Sequence, residues 1–510
     1  IFERNGSVAD AAIATLLCAC VVLPHSVSIG GGFIALIYDK KSNATHVLDA
    51  REVAPLAASK HGSLQLIEVW GRAVAVPGVV HGLGELHRRF GRLPWTELFM
   101  PAVNLARYGF PVGPDLAAAL AAAKTMFHTN LHIKNVFWNN ISNTQFREGE
   151  MMKQPLLAET LELISNTSAS AFYRGSLARR LVRDVKRIGE ELLLESYLRS
   201  YSSKWREPSE ASLSDGSRLL SSPAPSSGPI LLYVVAMLSQ MKAPNSEALL
   251  YHRLVEMFKY AYAKLNELAD EDFANVTVHE HDLLSPEHVR KTLGLIDDQR
   301  TYDDPRHYGL HRLGGPQHGS SHFSFLSPMG NAISLTSSLG EPFGARCMAA
   351  SLGVILNNHM SEFTLPRPQP PVLGYAPNEN NYIEPGKRPV TTMAPSLLLD
   401  RRGDAVLVIG ASGGPRIVSS ASFVMHNILR REMSLQDAIE APRLHHQLLP
   451  NDVVYEQKFP EDVLEELRRK GHVLKAIDRR PASVNAIARS QDRVIYAAAD
   501  FRKGGIVDGL

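Results

Sequence analysis

Cysteine is scarce in this sequence, which contains only Cys18, Cys20 and Cys347 among 510 residues. Three cysteines cannot form a disulfide framework. An excess of one charge sign is lacking too, because 54 Lys and Arg face 52 Asp and Glu and leave a formal charge of +2. Such a balance favours neither nucleic acid nor a membrane surface as partner. We expect the partner to be a small molecule.

Long hydrophobic runs are also lacking. The longest early run, from Ala11 to Leu23, stops at Pro24, short of the ~20 residues that a membrane helix needs. It predicts a buried helix. The sequence begins at Ile1, so we expect a fragment or a processed form, with any signal or anchor preceding it. Five Asn-X-Ser/Thr sequons indicate secretion or the extracellular face of the plasma membrane; their asparagines are Asn5, Asn43, Asn140, Asn166 and Asn275.

Hydrophobic periodicity predicts a helical first part and a mixed second part. Helical spacing occurs at 116–124 and 250–268, and the Ser- and Pro-rich residues 203–229 predict a loop or a partly disordered segment. The strands and helices predicted after residue 320 are strands at 323–326, 332–338, 353–356, 396–399, 405–409, 484–487 and 494–497, and helices near 418–431 and 460–470. Strands bracketed by helices predict an α+β protein, a four-layer αββα sandwich.

One short stretch places hydroxyl groups at the start of a predicted core strand. Residues 315–326 read GPQHGSSHFSFL, in which small polar residues lead into an alternating Phe-Ser-Phe-Leu pattern. A Gly-Ser turn is the simpler interpretation. The alternative is a nucleophile held at the end of a strand, with Ser320 in that position.

Two further segments have a functional and a plain interpretation. Gly413 and Gly414 follow an apolar strand and precede a helix, where backbone N–H groups can form an oxyanion hole or a simple turn. Arg51 ends another apolar strand and predicts either a fork for a substrate carboxylate or a surface salt bridge with Asp49 or Glu52.

Cofactor motifs are weak. The run Gly30-Gly31-Gly32 lacks the spacing of a phosphate-binding loop and predicts a tight turn, and the pairs His279/His281 and His445/His446 do not have the spacing of a zinc motif. We therefore expect neither a cofactor nor a metal.

A series of ordered motifs resembles the gamma-glutamyltransferase (glutathione hydrolase) family nearly from end to end. The motifs are GSVADAA at 6–12, IGGG at 29–32, AREVAP at 50–55, AVPG at 75–78, GRLPW at 91–95, YHR at 251–253, GKRP at 386–389, GG at 413–414, APRLH at 441–445 and DFRKGG at 500–505. The resemblance implies the fold of the N-terminal nucleophile hydrolases. It also implies a precursor that cuts itself before its nucleophile.

By this resemblance the cut lies between Gly319 and Ser320, and Ser320 stands where the family has its nucleophilic threonine. It implies a heavy chain of residues 1–319, mostly helical with part of the central sheets, and a light chain of residues 320–510. Ser338 matches the threonine that supports the nucleophile's amino group. Gly413 and Gly414 match the oxyanion hole.

The resemblance also assigns the substrate site. Arg51 would bind the α-carboxylate of a γ-glutamyl group, assisted by Thr391 and Thr392. Three positions depart from the family: Gly340 replaces an asparagine, His359 a glutamate and Glu362 an aspartate. A protonated His359 would repel the substrate's α-ammonium, so we expect binding to improve as pH rises.

Three hypotheses for function remain. The leading one is a self-processing γ-glutamyl hydrolase/transferase that acts on glutathione or its conjugates and transfers the acyl group to water, an amino acid or a peptide. The second is an inactive family member with an interaction or regulatory role. The third is an amidohydrolase of the same fold with a different acyl group. The resemblance further pairs Cys18 with a cysteine that would precede Ile1, and we expect Cys18 to be a buried free thiol here.

Overall fold

The computed structural model describes residues 1–58, 71–188, 193–275, 277–314, 319–366, 375–477, 482–490 and 492–509. Within them, two antiparallel sheets form the centre of the molecule. Their strands, in chain order, are β1 (Gly32–Asp39), β2 (Ala44–Ala50), β3 (Lys204–Arg206), β4 (Ser209–Ser212), β5 (Arg218–Ser221), β6 (Gly319–Leu326), β7 (Ala332–Gly340), β8 (Ser396–Leu399), β9 (Ala405–Ser412), β10 (Ser483–Arg489) and β11 (Ile495–Ala498). The first sheet has the order β6-β7-β1-β2-β3 and the second β11-β10-β9-β8-β5-β4.

Side-chain alternation along β1 separates two cores. Phe33, Ala35 and Ile37 pack against helices on the outer face of the first sheet. Ile34 and Leu36 point the other way and pack against residues of the second sheet such as Leu397 and Val408. Since successive side chains of a strand point to opposite faces, the two sheets lie face to face with an apolar layer between them.

Helices cover the outer face of each sheet. Those that pack in the core of the first sheet are Val8–Val22, Val79–Phe90, Trp95–Tyr108, Pro114–Ala122, Met126–Thr129, Leu131–Phe137, Pro155–Asn166, Gly175–Arg187 and Glu195–Ser200. Those of the second are Gly228–Gln240, Glu247–Leu265, Thr277–Leu284, Pro286–Leu293, Arg416–Leu429, Leu435–Glu440 and Glu461–Arg469. The predicted four-layer αββα sandwich is thereby confirmed. None of the described helices combines the length and the apolar character that crossing a membrane requires.

Short strands lie outside the two central sheets. They form the pairs Phe110–Pro111 with Met151–Met152, Trp138–Asn139 with Thr144–Gln145, Arg312–Leu313 with Ala376–Pro377 and Met348–Ala349 with Val354–Ile355, and a three-stranded sheet of Leu444–His445, Val453–Tyr455 and Leu474–Ala476.

The prediction of a loop at 203–229 is wrong. This segment contributes β3 to the first sheet and β4 and β5 to the second. Several of its serines are buried, and two of these donate hydrogen bonds to carbonyl groups: Ser221 Oγ to that of Pro395 at 2.9 Å, and Ser226 Oγ to that of Ser222 at 2.9 Å. The serine-rich composition led to a wrong prediction, because a serine can be buried wherever a carbonyl oxygen accepts a hydrogen bond from its hydroxyl.

Candidate active site

Ser320 lies at the start of β6, next to a β-bulge. Gly319 pairs with Gly340 and Ser321 pairs with Ser337 across β6 and β7, so Ser320 alone opposes two residues of β7. Ser320 is 6% exposed, and its Oγ has no hydrogen-bond partner among the described residues. A buried hydroxyl without a partner costs about 1–3 kcal/mol, which is typical of a functional position.

Strand β6 packs across β9 of the second sheet. Ser324 Oγ donates to the carbonyl of Val408 at 3.3 Å, and a Cβ on Gly410 would lie 2.3 Å from the ring of His322. From the first of these contacts to the second, the position moves back by two residues along β6 and forward by two residues along β9. From this register we infer that Ser320 lies near Ser412, the last residue of β9.

Gly413 and Gly414 follow directly, as predicted for a strand-to-helix turn. Both have positive φ, 133° and 61°, a region that favours glycine. Among the described residues neither glycine N–H donates a hydrogen bond, while the carbonyl of Gly414 accepts one from Ile417 at 3.0 Å. Two N–H groups in such a turn can bind an oxyanion.

Lys503 donates hydrogen bonds to the backbone and side chains around Ser320. Its Nζ donates to the carbonyl of Ser320 at 2.8 Å, to Ser321 Oγ at 2.9 Å and to Ser26 Oγ at 3.0 Å. Sequence reasoning found the DFRKGG motif that contains Lys503 but gave this residue no role. Nothing in the spacing shows that a residue 183 positions later returns to the start of β6.

Arg51 is fully buried, so the hypothesis of a surface salt bridge is wrong. Its Nη2 lies 2.5 Å from Glu362 Oε2, and its Nη1 lies 3.5 Å from Glu52 Oε2 and 3.1 Å from His359 Nε2. Burial opposes the charge, but the carboxylates of Glu362 and Glu52 outweigh burial and raise the pKa of Arg51. The structure thus brings Arg51, His359 and Glu362 together.

A second layer of charges fixes the backbone at Arg51. Asp49 Oδ1 accepts from the backbone N–H of Arg51 at 3.0 Å, and its other oxygen accepts from Arg206 Nε at 3.0 Å. Arg388 Nε lies 3.3 Å from Asp49 Oδ1. Although burial favours the neutral acid, Arg388 and Arg206 lower the pKa of Asp49. The end of β2 is therefore held by buried ion pairs.

Gly340 leaves space for Asn358. A Cβ on Gly340 would lie 1.9 Å from Asn358 Oδ1, and its φ is 90°. The Asn358 side chain accepts from the backbone N–H of Glu341 at 2.9 Å instead. Asn358 thus occupies the space that a side chain at position 340 would need.

Thr391 and Thr392 are buried beside this cluster. Asn381 connects them to it: its Nδ2 donates to the carbonyl of Glu362 at 2.9 Å and its Oδ1 accepts from Val390 N–H at 3.2 Å. The structure therefore places the two threonines on the segment that adjoins Glu362.

The glycine run 30–32 is a close-packing feature rather than only a turn. A Cβ on Gly30 would lie 2.1 Å from the carbonyl oxygen of Ile355, and one on Gly31 2.4 Å from that of Ser338. A Cβ on Gly32, the first residue of β1, would lie 2.4 Å from Glu52 Oε2. Only glycine permits these approaches.

One buried cluster of metal-type ligands lies away from this site. His252, Glu256 and His472 have ligand atoms within 4.8 Å of one another, a juxtaposition that the sequence spacing did not indicate. Its groups bond to one another and to a cation: His252 Nδ1 lies 2.8 Å from His472 Nε2, and Lys259 Nζ lies 3.7 Å from Glu256 Oε1. The ammonium already balances the carboxylate. The pair His445/His446 is likewise hydrogen-bonded, His445 to Ser419 at 2.7 Å, and the side chain of His279 lies outside the described residues.

The chain is similar to several characterised proteins. It is 39% identical to scoloptoxin SSD14 of Scolopendra dehaani, covering 100% of this chain and 89% of that protein. It is 34% identical to glutathione hydrolase 3 of Arabidopsis thaliana, covering 89% and 72%, and 32% identical to the glutathione hydrolase 5 proenzyme of Mus musculus, covering 100% and 90%.

Solved structures share the fold. A cephalosporin acylase from Bacillus halodurans has a TM-score of 0.86 at 24% identity, covering 98% of this chain and 91% of that one, a likeness that concerns the fold alone. A gamma-glutamyltranspeptidase from Pseudomonas nitroreducens has a TM-score of 0.53 at 31% identity, covering 60% and 91%. The model of the gamma-glutamyltranspeptidase family matches residues 1–510. The chain belongs to the gamma-glutamyltranspeptidase family.

Proposed function

We propose that the chain is a self-processing γ-glutamyl hydrolase/transferase with Ser320 as its nucleophile. The substrate is the γ-glutamyl amide of glutathione or a conjugate, and the acceptor is water, an amino acid or a peptide. The observation that carries this proposal is the hydroxyl of Ser320, which is buried without a partner among the described residues at the start of β6, the edge strand of the first sheet. The names of the relatives support the substrate class.

The proposed chemistry depends on Ser320 becoming the N-terminal residue of a new chain after the cut. Its Oγ attacks the γ-carbonyl carbon, and its freed α-amino group, with a pKa of ~7.7–8.0 when unperturbed, accepts the proton. The N–H groups of Gly413 and Gly414 stabilise the oxyanion. The proton then passes to the leaving amine, and the acceptor releases the glutamyl group from Ser320.

The two ends of an amino-acid substrate match two buried charges. Arg51 binds the α-carboxylate, with Thr391 and Thr392 adjoining, and Glu362 binds the α-ammonium. His359, which contacts Arg51, and Gly340, which adjoins His359, would form the wall of the proposed substrate pocket. Because His359 Nε2 accepts a hydrogen bond from Arg51, this histidine is neutral here. The expected repulsion of the ammonium by a protonated His359 therefore has no support in this geometry.

Maturation would divide the molecule into residues 1–319 and 320–510, which remain associated as a heterodimer. Both sheets support this arrangement, since each contains strands from both sides of the Gly319–Ser320 bond. The test is N-terminal sequencing of the purified wild-type protein. We expect a second N-terminus at Ser320, and Ser320→Ala should remain one chain that does not hydrolyse a γ-glutamyl anilide.

The matched control is Ser321→Ala, because the hydroxyl of Ser321 faces Lys503 rather than the space beside β9. This variant should still cut itself. A folded wild-type protein that stays whole, or a cut at another bond, would instead favour the inactive family member.

We also propose that the protein is an extracellular glycoprotein, secreted or at the outer face of the plasma membrane. All five sequon asparagines are exposed, as glycan attachment requires: Asn5, Asn43, Asn140, Asn166 and Asn275. Expression in a secreting eukaryotic cell followed by enzymatic deglycosylation tests this. We expect a lower mass after treatment; an unchanged mass, or protein retained in the cytosol, would contradict it.

A further inference from the structure

His359 lies in the middle of a buried row of three side chains. Its Nδ1 is 2.7 Å from Glu52 Oε1, and its Nε2 is 3.3 Å from Ser338 Oγ. None of the three residues is more than 1% exposed. A carboxylate, an imidazole and a hydroxyl in this order form an arrangement in which histidine takes a proton from serine.

Arg51 determines which nitrogen of His359 carries the hydrogen. A guanidinium only donates hydrogen bonds, and Arg51 Nη1 lies 3.1 Å from His359 Nε2. Nε2 is therefore the acceptor, and Nδ1–H donates to Glu52. This tautomer, assigned from the hydrogen-bond partners, presents a lone pair toward Ser338.

Ser338 connects this row to the nucleophile. It lies in the bulge of β7 that opposes Ser320, and a bulge redirects the side chains of its strand. Facing residues of neighbouring antiparallel strands have Cβ atoms about 4.5–5.5 Å apart. Ser320 and Ser338 adjoin such a facing pair, Ser321 and Ser337, and we infer that rotation of either hydroxyl brings the two side chains within hydrogen-bond reach.

The proposed self-cleavage requires a base that Ser320 itself does not have. Before the cut, the nitrogen of Ser320 belongs to a peptide bond and cannot accept a proton. His318 and His322 are the two histidines nearest in sequence; His318 lies outside the described residues, and His322 is buried, with burial lowering its pKa to about 3. Both of its ring nitrogens already have hydroxyl partners, Thr336 at 2.9 Å and Ser324 at 3.0 Å.

We propose that His359, oriented by Glu52 and acting through the hydroxyl of Ser338, accepts the proton of Ser320 during self-cleavage. This inference rests on the function proposed above. It gives position 359, where the family has a glutamate, a role in proton transfer in addition to its place in the pocket wall. Glu52 is a positioning residue in this scheme.

The step balances as follows. Ser320 Oγ bonds to the carbonyl carbon of Gly319, its proton passes to Ser338, and the proton of Ser338 passes to His359 Nε2. The Gly319–Ser320 C–N bond then breaks, and the proton returns along the same path to the departing nitrogen, which leaves an ester. Water hydrolyses the ester to the Gly319 carboxylate and the Ser320 hydroxyl. Arg51 must turn away from Nε2 for this transfer, and Glu362 remains its partner.

The test follows the full chain during cell-free synthesis, with a pulse of labelled amino acid and gels over time. We expect His359→Gln to slow the appearance of the 320–510 fragment by about 100-fold, the lower end of the range for general base catalysis. The matched control is Ser361→Ala, which alters the same short helix, His359–Glu362, by removing a hydroxyl that donates to Asn358. It should cut at the wild-type rate.

A second pair of variants guards against misfolding. Ser338→Thr keeps the hydroxyl and should cut, whereas Ser338→Ala should be slowed like His359→Gln. Limited proteolysis of each uncut chain reports whether it is folded. If either His359→Gln or Ser338→Ala cuts at the wild-type rate while Ser320→Ala stays whole, the relay is overturned and the proposed function stands. If the wild type itself stays whole, the proposed function is overturned and the relay with it.

The pH profile separates proton transfer from a structural role. Burial raises the pKa of Glu52 to about 7, against the lowering effect of Arg51. The charged groups around Glu52 are Arg51, Asp49 and Arg388, and His359 contacts it. Because ionised Glu52 stabilises the imidazolium, the wild-type cutting rate should rise as pH increases through about 7. Glu52→Gln should be slow at every pH, and a profile of wild-type shape in this variant would overturn the relay.

Discussion

Arg51 and Glu362 form a buried ion pair with 2.5 Å between Nη2 and Oε2. In the proposed site these two charges bind opposite ends of one substrate. Without substrate they neutralise each other. An amino-acid ligand therefore has to separate them and replace their ion pair with two others, one between Arg51 and its carboxylate and one between Glu362 and its ammonium. The pair therefore affects both stability and binding.

Single substitutions in this pair should destabilise the protein more than the double substitution. Arg51→Gln or Glu362→Gln breaks this buried pair by removing one partner, which costs about 3–5 kcal/mol, whereas the double variant removes both charges of the pair. Urea unfolding of the three variants measures this. All three should lose binding of γ-glutamyl compounds, and strictly additive losses of stability would show that the two residues do not interact.

Gly340→Asn, which restores the family residue, should destabilise this protein. The new Cβ would lie 1.9 Å from Asn358 Oδ1 and the backbone would keep φ at 90°, a combination for which we expect a cost of about 1–3 kcal/mol. Asn358→Ala in the same chain should recover part of the loss, since it removes the clash but not the strain. Thermal unfolding compares the variants. A stability of Gly340→Asn equal to that of the wild type would contradict the packing described.

The two glycines of the turn should differ in their tolerance of alanine. A Cβ on Gly413 would lie 2.8 Å from both Cα and Cβ of Ala482, at a φ of 133°. Gly414 has a φ of 61°, in the left-handed helical region, where alanine costs about 1–2 kcal/mol. Gly413→Ala should therefore lower the unfolding midpoint further than Gly414→Ala. The reverse order would show that the backbone of this turn differs from that described.

Cys18 should react with thiol reagents slowly, but before Cys20 and Cys347. It is half-buried rather than fully buried as expected, and burial raises its pKa to about 11. Cys20 and Cys347 are buried, and burial raises the pKa of both thiols. Mass spectrometry of labelled native protein, with unfolded protein as control, gives the order. Rapid labelling of Cys347 in the native state would contradict its burial.

Sequence alone predicted the layers better than the connections between them. The strands after residue 320 and the helix at 250–268 follow from local periodicity, and both occur close to their predicted bounds. The segment 203–229 was predicted incorrectly because edge strands such as β3 and β4 are short and the many serines of the segment resemble loop residues. Pairing across sheets gives no local signal.

The candidate site, like the fold, could be predicted from the sequence only in part. Arg51 and the glycine pair could be identified because each lies in a motif, and Glu362 because it replaces an aspartate of the family. The contact between Glu52 and His359 could not, because 307 positions separate them and only the folded chain brings them together. Sequence reasoning considered Glu52 only as a neighbour of Arg51.

The sharing of strands between the two parts of the chain has a consequence for folding. Seven residue pairs join β1 to β7, and four join β5 to β8, so neither part has a complete sheet of its own. In an uncut chain these strands meet as tethered segments, at an effective concentration on the order of millimolar. After a cut at residue 319, reassembly from the unfolded state becomes a second-order reaction between two dilute, aggregation-prone fragments. The mature protein would then stay folded because it unfolds slowly, and not because unfolding and refolding are in equilibrium. Each molecule would assemble its structure only once.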